Sequence, residues 1–317
     1  MEQRPLGKSG ITTTAMGIGT LTMSPLQRGL GTAEGGQVIL AALTAGVRLI
    51  DTAQMYGSYP QVQWALQRWT GTPVTVITKS AARTAEDMSR ALTEALSILG
   101  TDRLDGFLLH AIRSAEDFEQ RRPAWEVLLR AKEAGVIRGV GISSHFSQAI
   151  AFASERSGID LLHPIFNRDG VGVLDVPIAE HHEILHAAAR RGKGIYAMKP
   201  LGGGHLRNDV SGALRWLLSR PETHAFVVGM TSDAEILANV AVCSGREVPD
   251  EVAARISRQA RNLFVNKAIC TGCGNCERTC DHGAIQLSAG KAVTDPSRCV
   301  LCGYCAPTCP TFAIRVI

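Results

Sequence analysis

Apolar and polar positions in the first 245 residues alternate between two kinds of pattern. Short apolar runs typical of buried strands are separated by longer stretches in which apolar residues recur at helical spacing. The clearest helical stretch is 86–99, whose apolar residues fall on one face. The eight apolar runs are 15–19, 47–51, 74–79, 104–110, 138–143, 161–166, 194–199 and 225–229.

Eight strand-plus-helix units predict an α/β fold, a (β/α)8 TIM barrel, because this number of parallel units closes into a ring. A doubly wound sheet is the alternative, although it usually has fewer strands and a Gly-rich turn after the first one. Residues 2–14 predict a short hairpin ahead of the barrel. We therefore divide the chain into a barrel (1–245), a helical linker (246–266) and a C-terminal module (267–317).

Eight of the nine cysteines form two C-x2-C-x2-C-x3-C runs near the end of the chain. This is the ligand spacing of bacterial proteins that hold two [4Fe–4S] clusters, in which the fourth cysteine of each run ligates the other cluster. The ninth cysteine, Cys243, is most simply a small buried apolar residue. The expected ligand sets are Cys270, Cys273, Cys276 with Cys309, and Cys299, Cys302, Cys305 with Cys280.

Two zinc sites or a disulfide scaffold are the alternatives for these cysteines. Zinc sites usually use C-x2-C pairs, which would leave the third and fourth cysteines of each run without a role. A disulfide scaffold needs an export route, and the chain does not open with a basic region followed by an apolar run. Oxygen-sensitive clusters instead fit a reducing compartment, so we expect a cytoplasmic protein.

Composition narrows the class of protein further. The chain is 45% apolar with a net charge of +4, which is typical of a globular protein and too small and dispersed a charge for nucleic-acid binding. No window approaches eighteen uninterrupted apolar residues, so we expect no membrane span. The C-terminal module is basic, which suits docking on its own chain or on an acidic partner. Its charged residues are Lys267, Arg278, Lys291, Arg298, Arg315 and Glu277, Asp281, Asp295.

Residues 269–317 resemble a complete bacterial two-cluster ferredoxin, a small α+β iron–sulfur domain. The resemblance rests on the internal repeat CTGCGNCERTC-DHGAI and CVLCGYCAPTC-PTFAI. The proline that follows the fourth cysteine is present as Pro310 in the second run but is Asp281 in the first. A carboxylate beside one cluster makes that cluster harder to reduce, so the two potentials need not be equal.

Four polar residues follow or end neighbouring apolar runs: Asp51, Tyr56, Lys79 and His110. In a barrel these positions meet at the C-terminal face of the strands. Taken singly, such residues are more often structural ion pairs. Together they predict a proton-donating site, because an ammonium held by a carboxylate lowers the pKa of a nearby tyrosine. His110 would then orient or polarise a substrate carbonyl.

The segments GVRLIDTAQMYG, TVITKS and LDGFLLHAI resemble those that carry the catalytic tetrad of the aldo-keto reductases. The resemblance continues through RPLGKSGITTTAMGIGT, GVIRGVGISSHF, GIYAMKPLGGGHL and FVVGMTSDAEILANV. It implies a TIM barrel that binds NADH or NADPH without a Rossmann fold and reduces an aldehyde or ketone, with Tyr56 as the general acid. The partners it implies are a small-molecule carbonyl substrate and, through the clusters, a redox partner protein.

The same resemblance implies contacts with the nucleotide. Glu235 replaces an arginine that many relatives place on the 2′-phosphate, so we expect NADH to bind at least as well as NADPH. Gly-rich loops are also common as simple turns. The implied contacts are Ser143, Ser144, His163 and Asn167 at the nicotinamide, Gly202, Gly203 and Gly204 at the pyrophosphate, and Gly229, Thr231, Glu235 and Asn239 at the adenosine end.

Three functions are consistent with these two halves. The first is NAD(P)H-dependent carbonyl reduction, with clusters that stabilise the chain or serve a partner. The second is an iron–sulfur reductase whose clusters feed electrons to a substrate or cofactor in the barrel mouth, and the third is an inactive scaffold for a ferredoxin. A literal H-E-x-x-H at 182–186 also matches a zinc motif, but on an outer barrel helix it is better explained as a polar surface.

Overall fold

The structure, a computed structural model, describes residues 1–256 and 262–316. Its main part is a closed barrel of eight parallel strands, each paired with its neighbour in chain order and the last paired with the first. The predicted TIM barrel is therefore confirmed, and the doubly wound alternative was wrong. The barrel strands are β3 (Met16–Gly19), β4 (Leu49–Asp51), β5 (Thr75–Ser80), β6 (Leu104–Leu109), β7 (Ile137–Ser144), β8 (Leu161–Pro164), β9 (Gly194–Ala197) and β10 (Ala225–Gly229).

Helices surround the strands and cover the outer core. The predicted amphipathic helix begins after Thr84, whose side chain accepts a hydrogen bond from the Asp87 amide, and ends at Gly100, which has a φ of 69°. The helices of the barrel are α1 (Thr32–Thr44), α2 (Tyr59–Leu66), α3 (Ala85–Leu99), α4 (Ala115–Gln120), α5 (Arg122–Glu133), α6 (Ser147–Ser154), α7 (Ile178–Arg190), α8 (Val210–Leu218) and α9 (Asp233–Cys243).

One end of the barrel interior is closed by the N-terminal hairpin of β1 (Gln3–Pro5) and β2 (Thr12–Thr14). Leu6 and Ile11 at its turn join buried residues of the strands, such as Leu161 and Tyr196, in one apolar cluster. Burying that much apolar surface stabilises the barrel and excludes water from this end. Polar side chains can therefore gather only at the opposite end, where the strands finish.

The C-terminal module is built from two small antiparallel ladders around the cysteines. Helix α10 covers only part of the expected 246–266 linker, and 263–265 belongs to a strand because it pairs with the last strand of the module. Residues 257–261 of that linker lie outside the described part of the chain. The elements are α10 (Asp250–Ile256), β11 (Leu263–Val265), α11 (Asn275–Thr279), β12 (Ile285–Ser288), β13 (Lys291–Thr294) and β14 (Ile314–Val316).

Candidate functional site

The four predicted tetrad residues meet at the open end of the barrel. Asp51 is the last residue of β4, Lys79 lies near the end of β5, and His110 follows β6 directly. Tyr56 lies in a short 3-10 turn, 54–56, that follows β4. All four side chains are buried, with no more than 5% of their surface exposed. The parallel topology brings them together because neighbouring strands end at the same edge.

Lys79 and Asp51 form a buried ion pair. The Lys79 Nζ lies 2.6 Å from Asp51 Oδ1 and donates a second hydrogen bond of 2.8 Å to the Thr52 carbonyl. Burial raises the pKa of Asp51 and lowers that of Lys79, and in each case the charge of the partner opposes the shift. The pair holds the ammonium in place at the floor of the site.

Tyr56 is a buried phenol beside this ion pair. The Lys79 Nζ lies 5.3 Å from the centre of the Tyr56 ring. Burial raises the pKa of Tyr56 well above its ordinary value, and Tyr304 and Asp51 raise it further. The expected lowering of this pKa by Lys79 was wrong, because the site is closed and Asp51 already neutralises the ammonium. Tyr56 is therefore a protonated donor at neutral pH.

His110 is contacted by a residue of the C-terminal module. The Tyr304 hydroxyl lies 3.0 Å from His110 Nε2, and it also interacts with the Tyr56 hydroxyl. Burial, followed by the charge of Lys79, holds the pKa of His110 well below its ordinary value, so the imidazole is neutral. The His110 Nδ1 is buried and has no hydrogen-bond partner in the described part of the chain.

Electrostatic interactions within the C-terminal module link thiols of each cysteine run to the fourth cysteine of the other run. The Cys309 thiol acts electrostatically on Cys270, and Cys276 interacts with Cys270 and Cys273. We call Cys270, Cys273, Cys276 and Cys309 the first cluster set.

The second set joins the later run to Cys280. The thiols of Cys299, Cys302 and Cys280 all act on Cys305, where burial is the largest cause of a raised pKa. Cys302 and Cys280 likewise act on Cys299. We call Cys299, Cys302, Cys305 and Cys280 the second cluster set.

The surroundings of these thiols suit ligands of iron–sulfur clusters. Backbone amides donate to three sulfurs: Ala292 to Cys270 at 3.4 Å, Ala284 to Cys280 at 3.3 Å and Ala313 to Cys309 at 3.2 Å. Such N–H···S bonds stabilise thiolate charge and tune reduction potential. Buried apolar side chains enclose part of the first cluster set, which keeps water away from it. The donor chemistry of both sets therefore fits [4Fe–4S] clusters.

The second cluster set faces the barrel mouth. The Val300 backbone lies where a β-carbon on Gly203 would be, so the second cysteine run and the barrel loop are in direct contact. Gln27 Nε2 donates to the Leu301 carbonyl at 2.8 Å, and His205 Nε2 lies 2.9 Å from the Cys299 carbonyl. These contacts close the glycine loop 202–204 with main chain from the second cysteine run.

Three further contacts extend this interface. Arg113 pairs with Asp281 at 2.7 Å. His145 Nδ1 lies 3.0 Å from His282 Nε2, and the His145 ring stacks on that of Tyr304 with centroids 6.3 Å apart. Polar, charged and aromatic side chains of both units therefore meet over the tetrad.

Side chains expected at the nicotinamide are already engaged by the protein. Ser143 Oγ accepts from the Ala111 amide at 3.0 Å, and Ser144 Oγ donates to the Ile112 carbonyl at 2.5 Å. Asn167 exchanges two hydrogen bonds of 2.9 Å with the Val171 backbone. These residues shape the loops of the mouth.

His163 is buried and contacts other residues inside the barrel. Its Nδ1 is 2.6 Å from the Tyr196 carbonyl, and its Nε2 is 3.8 Å from Asp51 Oδ1. Burial lowers the pKa of His163 well below its ordinary value, so it is neutral. It supports the carboxylate from within the barrel.

Residues expected at the adenosine end shape the start of helix α9. Glu235 Oε2 accepts from the Thr231 amide at 2.6 Å, and the Ser232 side chain accepts from the Glu235 amide at 3.4 Å. Ser232 is therefore the N-cap of the helix, and the Glu235 carboxylate binds the amide of the residue that precedes this cap. Asn239 is buried on the same helix, and a β-carbon on Gly229 would meet Thr22.

The docked module occupies part of the site expected for a nicotinamide nucleotide. The loop at Gly202, Gly203 and Gly204 is the expected pyrophosphate contact, and the Val300 backbone covers Gly203. Tyr304 stands between the proton donor and His110. The sequence analysis did not identify Val300 or Tyr304 as functional residues. Comparison of the two cysteine runs does give a signal for Tyr304, since Asn275 occupies the same position in the first run.

The H-E-x-x-H segment lies on α7, outside the barrel. His182 packs against the rings of Phe166 and Trp216, and His186 is exposed. In the described part of the chain, no three His, Cys, Asp or Glu side chains are arranged to hold a single metal ion. Cys243 is buried at the end of α9 and its pKa is raised to about 12 by burial.

Comparisons with known proteins match both parts of the chain. A model described as the aldo/keto reductase family matches residues 15–212, and one described as a 4Fe-4S dicluster domain matches residues 269–313. An aldo-keto reductase of Mycolicibacterium vanbaalenii is 29% identical over 241 residues, 71% of this chain and 83% of that protein. A D-threo-aldose 1-dehydrogenase of a Pseudomonas species is 23% identical over 321 residues, 89% of this chain and 93% of that protein.

Solved structures share the barrel fold. A candidate aldo-keto reductase from Pseudomonas aeruginosa superposes with a TM-score of 0.66 at 24% identity, covering 77% of this chain and 95% of that one. An aldo-keto reductase from Bacillus halodurans in its holo form has a TM-score of 0.63 at 21% identity, covering 81% and 96%. No helix within the described ranges is long and apolar enough to cross a bilayer.

Proposed function

This chain belongs to the aldo/keto reductase family, and on that premise we propose that it reduces a carbonyl substrate with electrons from two [4Fe–4S] clusters. The proposal rests on one observation. Tyr304 lies between the cluster ligands Cys302 and Cys305, and its hydroxyl is 3.0 Å from His110 Nε2. The docked module therefore brings a cluster-binding loop into contact with the residues that would handle the substrate oxygen.

The barrel residues take these roles. Tyr56 gives a proton to the substrate oxygen, because it is buried and protonated beside an ammonium. His110 is neutral, and its Nε2 orients the carbonyl oxygen, which takes the place that the Tyr304 hydroxyl holds beside Tyr56 and His110. Asp51 forms an ion pair with Lys79 and so keeps the Lys79 ammonium beside Tyr56.

The two crossed cysteine sets would hold one cluster each. Bound [4Fe–4S] clusters supply electrons one at a time. Reduction of a carbonyl takes two electrons and two protons, and without a hydride donor the second proton has to come from the site or from water. A quinone satisfies this balance most simply, because both protons go to oxygen and its π system delocalises a single added electron. We therefore propose a conjugated carbonyl, such as a quinone, as the substrate class.

NAD(P)H-dependent carbonyl reduction is the second candidate, and the family match together with the assembled tetrad favours it. It requires the module to leave the glycine loop, since Val300 covers Gly203. In that arrangement Glu235 would repel the 2′-phosphate of NADPH, and NADH would bind at least as well.

Substrate-dependent reoxidation separates the two candidates. The full chain, reconstituted anaerobically and reduced with stoichiometric dithionite, should lose its reduced-cluster spectrum when a benzoquinone or an aryl ketone is added. Tyr304→Phe should slow this reoxidation by about tenfold or more, whereas Tyr59→Phe, which removes a buried hydroxyl bonded to Thr78, should not. Clusters that stay reduced while NADH or NADPH converts the same carbonyl to its alcohol would establish the second candidate instead.

A further inference from the structure

The first cluster set lies on the side of the module that the barrel leaves open. Cys273 is exposed, whereas the second cluster set lies against the mouth. Three large apolar side chains in the chain segments next to this set are exposed, by 46% for Phe264, 44% for Ile269 and 72% for Phe312. Exposed apolar side chains gathered in this way mark an interaction site more often than a solvated surface.

These side chains form one surface together with two cations. Phe264 pairs with Arg315 across the β11–β14 ladder, so the two share a face. The Asn266 amide donates to the Ala313 carbonyl at 2.7 Å, and the next residue, Lys267, donates from its Nζ to the Ala292 carbonyl. Ile269 directly precedes a ligand of the first cluster set. We call Phe264, Lys267, Ile269, Phe312 and Arg315 the entry surface.

The charge around this surface is positive. Lys291 Nζ donates to the Cys270 carbonyl at 2.7 Å, and an Arg278 guanidinium nitrogen lies 3.3 Å from the Cys273 carbonyl. Of the module's three carboxylates, Asp281 is paired with Arg113 on the barrel side, and Glu277 and Asp295 accept hydrogen bonds from the Leu287 and Ser297 amides, so cations outnumber carboxylates by five to three. An acidic partner is therefore attracted, while a second copy of this chain would bring like charges together.

We propose that the entry surface docks a small acidic protein that carries a one-electron redox group and reduces the first cluster. The carrier is oxidised by one electron, the cluster is reduced by one electron, and no bond forms or breaks. The inference rests on the proposed function, because it names the donor for the electrons used in the barrel. An apolar centre edged by cations is the composition of a transient redox interface, which is small and depends on electrostatic steering.

Flavodoxin is a suitable probe, since it is acidic and its flavin absorbance is distinct from that of the clusters. We expect flavodoxin hydroquinone to reduce the clusters of the anaerobic full chain, with a rate that falls steeply as ionic strength rises. Arg315→Glu and Phe312→Ser should each lower that rate by about tenfold or more, and should weaken the binding of oxidised flavodoxin in calorimetry to a similar degree.

Matched variants on the barrel serve as controls. Arg103→Glu reverses an exposed cation, and Leu237→Ser removes a side chain that is 50% exposed, yet neither lies near the clusters. Both should bind and accept electrons as the unmodified chain does. Dithionite, a small reductant, should reduce every variant at the same rate, which shows that the clusters are intact.

The proposal would be overturned if flavodoxin reduced the clusters at equal rates in the unmodified chain, Arg315→Glu and Phe312→Ser. A reduction rate that does not change with ionic strength would also overturn it. The assay contains no carbonyl substrate. Failure of carbonyl reduction would therefore leave this result unchanged, and failure of docking would leave dithionite-driven carbonyl reduction unchanged.

Discussion

The two cysteine runs share one ligand spacing, but their clusters would lie in opposite surroundings. The first set includes the exposed Cys273 and is flanked by Ile269 and Phe312, which are open to solvent. The second set borders Tyr304 at the barrel mouth; its Cys305 is 7% exposed, and its other three cysteines are half-buried. The motif therefore specifies what is bound, whereas the position of the module on the barrel separates a solvent side from a substrate side.

The repeat diverges where the module meets the barrel. Asn275 of the first run donates to the Thr308 carbonyl within the module, whereas its counterpart Tyr304 reaches His110. Asp281 replaces the proline of the other run and pairs with Arg113. That ion pair offsets the carboxylate charge that would otherwise make the nearby cluster harder to reduce.

The largest effect should come from removing a cysteine that ligates the cluster of the opposite run. Cys280→Ser is expected to disturb the second cluster and spare the first, and Cys309→Ser should do the reverse, because each thiol lies with the opposite run. Iron analysis should find about four of about eight irons lost in each variant. If Cys280→Ser instead removed the first cluster's spectrum, the crossed assignment would be wrong.

Removal of the proton donor should affect the substrate side alone. Tyr56→Phe is expected to lower carbonyl turnover by ~10²–10⁴-fold, since it deletes the buried phenol that protonates the oxygen. Cluster reduction by dithionite should not change, and Tyr59→Phe is the matched control. Turnover close to that of the unmodified chain would remove Tyr56 from this role.

Acidification should lower the stability of the barrel, because it contains a buried, neutral histidine. His181 lies 2.8 Å from the Ser147 hydroxyl and 2.8 Å from the Ile165 carbonyl, and burial lowers its pKa to about 4. The unfolded chain binds this proton below about pH 6.5, so the free energy of unfolding falls as the pH drops from 6.5 toward 4, by about 3 kcal/mol in all.

Tryptophan fluorescence during urea unfolding measures this effect on the barrel, because all four tryptophans precede residue 245. In His181→Gln the unfolding free energy should depend less on pH over this range. An unchanged pH slope in that variant would contradict a neutral, buried His181.

A glycine substitution should disturb the docking more mildly. Gly203 has a φ of +66°, and an added β-carbon would overlap the Val300 backbone, whereas Gly245, with a φ of +71°, faces open space. Both alanine variants carry the same backbone strain, of order 1–2 kcal/mol. Gly203→Ala alone should increase hydrogen exchange in the loop that contains Tyr304, and equal exchange in both variants would show that this contact does not hold the module.

The strands, helices and ligand spacing could be predicted from the chain because local periodicity encodes them. The predicted run 225–229 is the observed β10, and the helix predicted at 86–99 is observed as Ala85–Leu99. Parallel strand ends meet at one edge, so the convergence of Asp51, Lys79 and His110 followed from topology alone. Cysteine spacing likewise determines cluster chemistry, since the ligands lie close together in the chain.

Tertiary structure alone decided how the two halves meet. The hydrogen bond between Tyr304 and His110 joins residues 194 positions apart, and no local pattern encodes such a contact. The direction of the Tyr56 pKa shift also depends on tertiary structure. Burial raises this pKa, and the burial depends on which part of the chain covers the barrel mouth. The sequence by itself determined the two chemistries, and the packing of one unit on the other decided which cluster lies beside the tetrad.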